Sequence, residues 1–406
     1  MSQPTKPSSE KHYQIGYCTN VHAGRDLPGV LENLQNHCLP IRKLVSPNEP
    51  LCVGLWFSEI SAAQALQPEQ LAKLQDKLAE HQLVPFTLNG FPQGDFHSQV
   101  VKHRVYQPTW WHRERLDYTL NLIHLLDQLL PPGQIGSIST LPIAWSQPAP
   151  TREQLKQAAL QLVEVAMTLH GLFEHTGRKI VLAIEPEPGC YLTDSESFRI
   201  FFNEYLRSSI LPEGTAEIVG EYLTLCHDVC HAAVMFEDQQ TELNLLRNDE
   251  ISIGKIQVSS AIQVDWDSMA SDDREVAFNQ LRGFAEDRYL HQTTRMSSQT
   301  KNTELIEDLP LALSTVKSPS QLAGQWRIHF HVPIFLDHIG LIQTTQNEIG
   351  NLVKMLATPA TEQPAFTGHF EVETYAWGVL PEAMHSGTLN DGIAKEVAWL
   401  KRMLAT

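Results

Sequence analysis

The sequence predicts a (β/α)₈ TIM barrel on three observations. Short apolar runs recur along the chain, stretches of helical periodicity separate them, and polar residues gather at the ends of the later runs. The 406 residues, 42% of them hydrophobic, are enough to bury a core of that size.

Nine runs are candidate strands: 13–20, 51–58, 83–90, 136–142, 179–186, 222–228, 253–260, 326–335 and 369–375. Of the segments between them, TREQLKQAALQLVEVAMTLHGLFEHTGRK is the clearest helix. Thr151 and Gln154 are spaced for a capping box, and Gly177 suits the C-terminal cap. HAAVMFEDQQTELNLLRN and TQNEIGNLVKMLAT behave similarly. An open doubly wound sheet is the rival, but no G-x-G-x-x-G follows the first run to support a dinucleotide site.

Nine candidates for eight places leave one run outside the barrel. The excess lies between Gln257 and His329, a stretch far longer than one βα connection needs. Residues 262–325 read as an insertion over one rim, with a helix of its own in DREVAFNQLRGFAEDRY. Residues 1–12 read as a flexible N-terminus, and 13–406 as a single barrel domain with that insertion.

The formal net charge of -17 argues against a nucleic-acid or anionic-membrane surface, since both demand clustered Lys and Arg. A small-molecule metabolite is the expected partner. The start, MSQPTKPSSEKHYQ, lacks an apolar core, and no window approaches the roughly 18 apolar residues of a membrane span. A soluble, cytoplasmic protein is expected. The six cysteines lie mostly in apolar runs and read as reduced core thiols. Cys226 and Cys230 lack the second pair that a cysteine zinc site needs.

Active sites of such barrels sit at the C-terminal strand ends, so a polar residue late in an apolar run is informative. Glu185 ends the fifth run, Asp228 the sixth and Gln257 the seventh; His329 and His331 lie on the next, and Glu371 and Glu373 on the last. Residues two apart on a strand share a face, and one member of each pair (Glu185 and Glu187, His329 and His331, Glu371 and Glu373) is expected to reach the mouth. Each has an ordinary alternative alone: Glu185 or Glu373 paired with an arginine, Asp228 as the N-cap of VCHAAV, His329 as a satisfied core histidine. Four such ends in succession instead favour a shared divalent cation, which offsets the cost of burying carboxylates. Oxygen ligands with one imidazole suit Mg²⁺, Mn²⁺ or Co²⁺, and a site with His also accepts Zn²⁺.

This pattern resembles the xylose-isomerase-like TIM-barrel superfamily of sugar and sugar-phosphate isomerases and epimerases. The resemblance implies one divalent metal held by Glu185 in AIEPEPG, Asp228 in HDVCH with His231 as the motif histidine, Gln257 in KIQVSS and Glu373 in EVETYAW. YCTNVHAG, EPEPGC, YLHQT, WRIHFHVP and EVETYAW further resemble the EboE family of metabolite-traffic proteins. That likeness implies a biosynthetic pathway that moves precursors across the inner membrane, with a membrane-pathway protein of the same gene cluster as partner. The insertion departs from the compact isomerases, and His329 or His331 replaces Gln257 as ligand if their run is the seventh strand.

A metal held there would bind the carbonyl and hydroxyl oxygens of a hydroxy-carbonyl substrate, with Glu185 and Glu373 as the acid and base pair. His231 would orient Asp228 or a substrate oxygen, and His331, with His329, would meet substrate. Asn20, His22, Asn89, Trp145, Tyr375 and Trp377 are candidates for the mouth. A non-catalytic metabolite-binding or traffic protein that keeps barrel and metal is the alternative. Metal-assisted hydrolysis is weaker, for it wants a multi-metal cluster and a basic groove.

Overall fold

The computed structural model describes residues 13–208, 214–357, 362–381 and 387–405. The N-terminal segment 1–12, expected to be flexible, lies outside the described residues. Eight parallel strands form a nearly closed barrel. They are β1 (Gln14–Tyr17), β2 (Leu51–Trp56), β3 (Leu83–Asn89), β4 (Gly136–Thr140), β5 (Ile180–Ile184), β6 (Leu223–Asp228), β7 (Ile253–Val258) and, after an excursion, β14 (His369–Val372). The sheet runs β1-β14-β7-β6-β5-β4-β3-β2, and a parallel bridge between Cys18 and Gly54 spans the remaining gap.

The strand residues are almost wholly buried, because helices cover the outside and side chains fill the inside. The long helix Arg152–Thr176 starts with a capping box of Thr151 and Gln154 and ends at Gly177, whose φ of 71° is left-handed. No helix among the described residues is long and apolar enough to cross a membrane. All six cysteines are free thiols, and only Cys52 is not fully buried.

The eighth candidate run, 326–335, does not enter the barrel. The excursion between β7 and β14 builds a six-stranded sheet of antiparallel pairs: β8 (Ile262–Asp265), β9 (Thr293–Met296), β10 (Thr303–Ile306), β11 (Gln325–Ile328), β12 (His338–Ile339) and β13 (Ile342–Thr344). WRIHFHVP therefore supplies a strand of this sheet, between β9 and β8. Its alternation explains why: Trp326 and Ile328 are buried while Arg327 turns outward to Gln263 and Glu348. A strand with one polar face suits an antiparallel sheet, whereas a barrel strand must be buried on both faces. Strand pairing carries the added sheet past residue 325 to Thr344.

This added unit meets the long loop after β3 over the mouth. Val101 and Lys102 donate backbone N–H groups to the Arg288 carbonyl at 2.8 and 3.0 Å, and Lys102 Nζ pairs with Asp308 at 2.7 Å. The loop is braced from below by Arg115, fully buried, which donates to the carbonyls of Gly90, Phe91 and Pro108.

The barrel interior contains a buried ion pair, Lys255 Nζ to Glu371 Oε2 at 2.6 Å, with both side chains inaccessible. Lys255 also donates to Ser139 Oγ at 3.2 Å. Gly54 makes the room: a Cβ there would lie 1.5 Å from Glu371 Oε1. Lys255→Met would strand the Glu371 charge and is expected to cost roughly 3–5 kcal/mol, whereas Lys255→Met with Glu371→Leu recovers most of the loss. Urea unfolding of the two variants checks this.

The C-terminal helix Leu389–Leu404 carries a second buried acid. Glu396 accepts hydrogen bonds from Thr374 Oγ1, Trp377 Nε1 and the Ile334 amide, yet burial pushes its carboxyl up to about 7. The folded state thus holds this proton more tightly than the unfolded chain, so stability should fall as pH rises from the ordinary 4.5 to about 7. Glu396→Gln lacks this titration. Its stability relative to the native chain should rise by roughly 3 kcal/mol across that window, read by thermal unfolding at successive pH values.

Candidate metal centre

Three carboxylates converge where strands end. Glu185 follows β5 directly and is fixed by its amide bond to the Thr140 carbonyl at 3.0 Å. Asp228 closes β6, and Glu373 follows β14. One oxygen from each lies within 4.8 Å of the others, and all three side chains are buried. Gln257 stands on β7 in register with Asp228 on one side and Glu371 on the other. Its amide oxygen and nitrogen are both buried without a hydrogen-bond partner, as are Glu185 Oε2 and Asp228 Oδ2.

The electrostatics of this group are unbalanced. Burial first, and then the charges of Glu373 and Asp228, push the Glu185 carboxyl well above its usual range. Burial, Asp228 and Glu371 push Glu373 up to about 8. Burial also raises Asp228, against hydrogen bonds from the His231 amide and Ser259 Oγ. Orphaned oxygens and carboxylates forced toward their neutral forms are the environment that a divalent cation relieves. Glu185, Asp228, Glu373 and the Gln257 oxygen are hard donors suited to such an ion.

Glu373 is held in place by two amides. Asn20 Nδ2 and Asn89 Nδ2 donate to its Oε1 at 2.8 and 2.7 Å. Asn89 is itself fixed, because its Oδ1 accepts from the Phe91 amide at 3.0 Å.

A cavity of about 60 Å³ lies above these groups, lined by Asn20, Asn89, Glu185, Glu373, Tyr289 and Tyr375 among others. Both Glu185 and Glu187 line it, as do both His329 and His331, so the expectation of one mouth residue per pair is corrected for these two. The bend of the chain beyond β5 breaks strict alternation: the Glu187 amide bonds the Leu192 carbonyl and leaves the strand. The third pair divides, with Glu373 in the cavity and Glu371 deeper on Lys255. His231 reaches the cavity from the helix Val229–Val234, and the added sheet brings His329 and His331 from the other side.

Three candidates stand elsewhere. His22 bonds Tyr17 Oη at 3.1 Å and stacks on His37 with ring centroids 4.1 Å apart. Trp377 donates to Glu396 Oε2 at 2.9 Å and covers Gly392, where a Cβ would approach the ring to 2.4 Å. Trp145 stacks on Tyr106 behind the cavity wall. Conversely, sequence reasoning missed Tyr106 and Gln292, which donate to Glu187 Oε1 at 2.7 and 3.0 Å. Burial raises the Glu187 carboxyl to about 7 against these donors. Both residues sit in loop or insertion sequence with no strand-end signal, although Gln292 falls within YLHQT.

By its fold, the chain is similar to xylose-isomerase-like TIM-barrel proteins. One is a xylose isomerase-like TIM barrel protein from Mycobacterium smegmatis in complex with magnesium, with a TM-score of 0.50 and 10% identity over 97% of this chain and 96% of that one. A xylose isomerase domain protein from Alicyclobacillus acidocaldarius superposes with a TM-score of 0.44 and 11% identity over 96% and 98%. The IOLI protein with a binding zinc atom gives 0.37 and 15% over 61% and 73%. No family model matches the sequence, and no curated protein does. At these identities the likeness concerns the fold.

Asn20→Ala and Asn89→Ala each remove one of the two amide donors to Glu373 Oε1. Each is expected to weaken divalent-ion affinity by roughly 10–100-fold, measured by titration calorimetry. Unchanged affinity would separate Glu373 from the ion.

Proposed function

We propose that this chain is a divalent-metal-dependent isomerase or epimerase of a small hydroxy-carbonyl metabolite. The observation that carries the reading is the convergence of Glu185, Asp228 and Glu373 at three strand ends, beside an unpartnered Gln257. Bound there, Mg²⁺, Mn²⁺, Zn²⁺ or Co²⁺ would supply Lewis-acid polarisation of substrate oxygens. The protein's own part is proton handling. Glu373, steadied by two amides, and Glu185 line one cavity and stand as an acid and base pair. The wall of Phe91, Phe96, Tyr289 and Tyr375 offers apolar faces to a carbon skeleton.

The small cavity supports a small metabolite as ligand. We further propose a cytoplasmic role in an EboE-type biosynthesis and traffic pathway, with a membrane-pathway protein as partner. The motivation is the resemblance of YCTNVHAG, EPEPGC, YLHQT, WRIHFHVP and EVETYAW to that family. The second reading, a binding or traffic protein without turnover, is favoured by the three imidazoles crowding the same cavity.

Proton exchange distinguishes the two readings. The metal-loaded protein, incubated in deuterated water with a panel of ketoses and hydroxy-keto acids, should incorporate deuterium beside the carbonyl of at least one, read by NMR. Chelation should abolish the exchange, and Glu373→Gln should slow it by roughly 10²–10⁴-fold. Binding of a panel member without exchange would favour the traffic reading.

A further inference from the structure

We propose that His231, His329 and His331 form a second metal site, of zinc-binding type, beside the carboxylate group. The argument is one of protons and lone pairs, and it stands apart from the isomerase reading.

Each imidazole has its Nδ1 against an oxygen acceptor. His231 Nδ1 meets the Pro186 carbonyl at 2.8 Å, His329 Nδ1 the Gln292 Oε1 at 2.7 Å, and His331 Nδ1 the Glu373 carbonyl at 2.6 Å. The two backbone carbonyls only accept. The Gln292 orientation is set by its amide nitrogen, which donates to Tyr106 Oη and Glu187 Oε1. All three Nδ1 atoms therefore carry the proton, and in the neutral ring each Nε2 presents a bare lone pair.

Those lone pairs point at one another. His329 Nε2 lies 3.2 Å from His231 Nε2 and 3.2 Å from His331 Nε2, and all three rings are buried. Between acceptors that distance is repulsive. Tyr375 Oη stands 3.4 Å from His329 Nε2, close enough to touch one ring but not to satisfy three. A cation among the three nitrogens turns the repulsion into ligation, and three imidazoles with one open position are a zinc donor set. The Nδ1 partners are what a ligating histidine requires of its surroundings.

The site adjoins the carboxylate group through one residue. Asp228 offers an oxygen within 4.8 Å of His231 and His331 nitrogens, and it also groups with Glu185 and Glu373. Its Oδ1 is taken by the His231 amide and Ser259, while Oδ2 is free and lies 3.9 Å from His331 Nε2. That geometry makes Asp228 the shared edge of two neighbouring ion positions.

The test is zinc stoichiometry and zinc-edge X-ray absorption on the full chain, its His329→Ala and His331→Ala variants, and Glu185→Gln/Glu373→Gln. The native protein should bind two ions, with imidazole scattering in the spectrum. Each histidine variant should lose one ion and most of that scattering, and the glutamate variant should keep the imidazole-bound ion. Spectra of the native protein decide the matter even if a variant fails to fold. A single ion with an imidazole shell would support this site and overturn the carboxylate reading. A single ion with oxygen ligands alone would overturn the imidazole site and support the carboxylate reading. One ion of mixed imidazole and carboxylate ligation would overturn the site as a separate one.

Discussion

The structure depends on how the barrel carries its buried negative charge. Glu185, Glu187, Asp228, Glu371 and Glu373 are all buried in the upper barrel and its mouth. The one buried lysine among the described residues there is Lys255, already committed to Glu371. An uncompensated carboxylate costs several kcal/mol, so the remaining four must take up protons, hydrogen bonds or a cation. Glu187 takes the second course through Tyr106 and Gln292. Glu185 and Asp228 keep an oxygen with no partner, and burial pushes both carboxyls above their usual range, the environment a divalent cation would relieve.

The strand geometry arranges these acids by depth. Glu371 and Glu373 lie two residues apart on one line of chain, so the first meets Lys255 inside the barrel and the second faces the cavity. Lys255 and Gln257 repeat the step on the neighbouring strand. The deep ion pair ties β7 to β14, and Gly54 on β2 leaves the volume for it. That packing holds the ends of β7 and β14 rigidly below the cavity, as a site placed on strands rather than loops requires. The added sheet then completes the cavity from above, contributing Tyr289, Leu290, His329 and His331 and clasping the β3 loop through Lys102 and Asp308.

Much of this was legible in the sequence because barrel strands announce themselves twice, by an apolar run and by a polar residue at its end. That signal singles out Glu185, Asp228 and Gln257 and narrows the last strand to Glu371 or Glu373, between which the family resemblance chooses Glu373; Asn20 and Asn89 are candidates by their place after the first and third runs. What was not legible depends on contacts distant in sequence. His22 and Trp377 resemble mouth residues by position, yet His37 and the Glu396–Gly392 turn of the last helix claim them. Tyr106 and Gln292 carry no local signal, since their role exists only once the β3 loop and the insertion meet. The run at 326–335, left open in the sequence, is different: the alternation of Trp326, Arg327 and Ile328 marks a one-sided strand, a pattern that competes with its apolar content.

Asp228 joins these threads, because two readings that compete in the sequence are compatible in space. As N-cap it accepts the amide of His231 on Oδ1, satisfying one of the unpaired donors at the start of the helix Val229–Val234. The cap leaves Oδ2 untouched and available to a cation. The Asp-x-x-His spacing is therefore the capping geometry itself: the side chain at the cap bonds the third helical residue, and that residue is the histidine. The same hydrogen bond that starts the helix sets His231 against Asp228, while the Pro186 carbonyl, one residue beyond Glu185, fixes the ring's rotation. The end of β5, the end of β6 and the first turn of the following helix thus form one positioned unit, which places Glu185, Asp228 and His231 together.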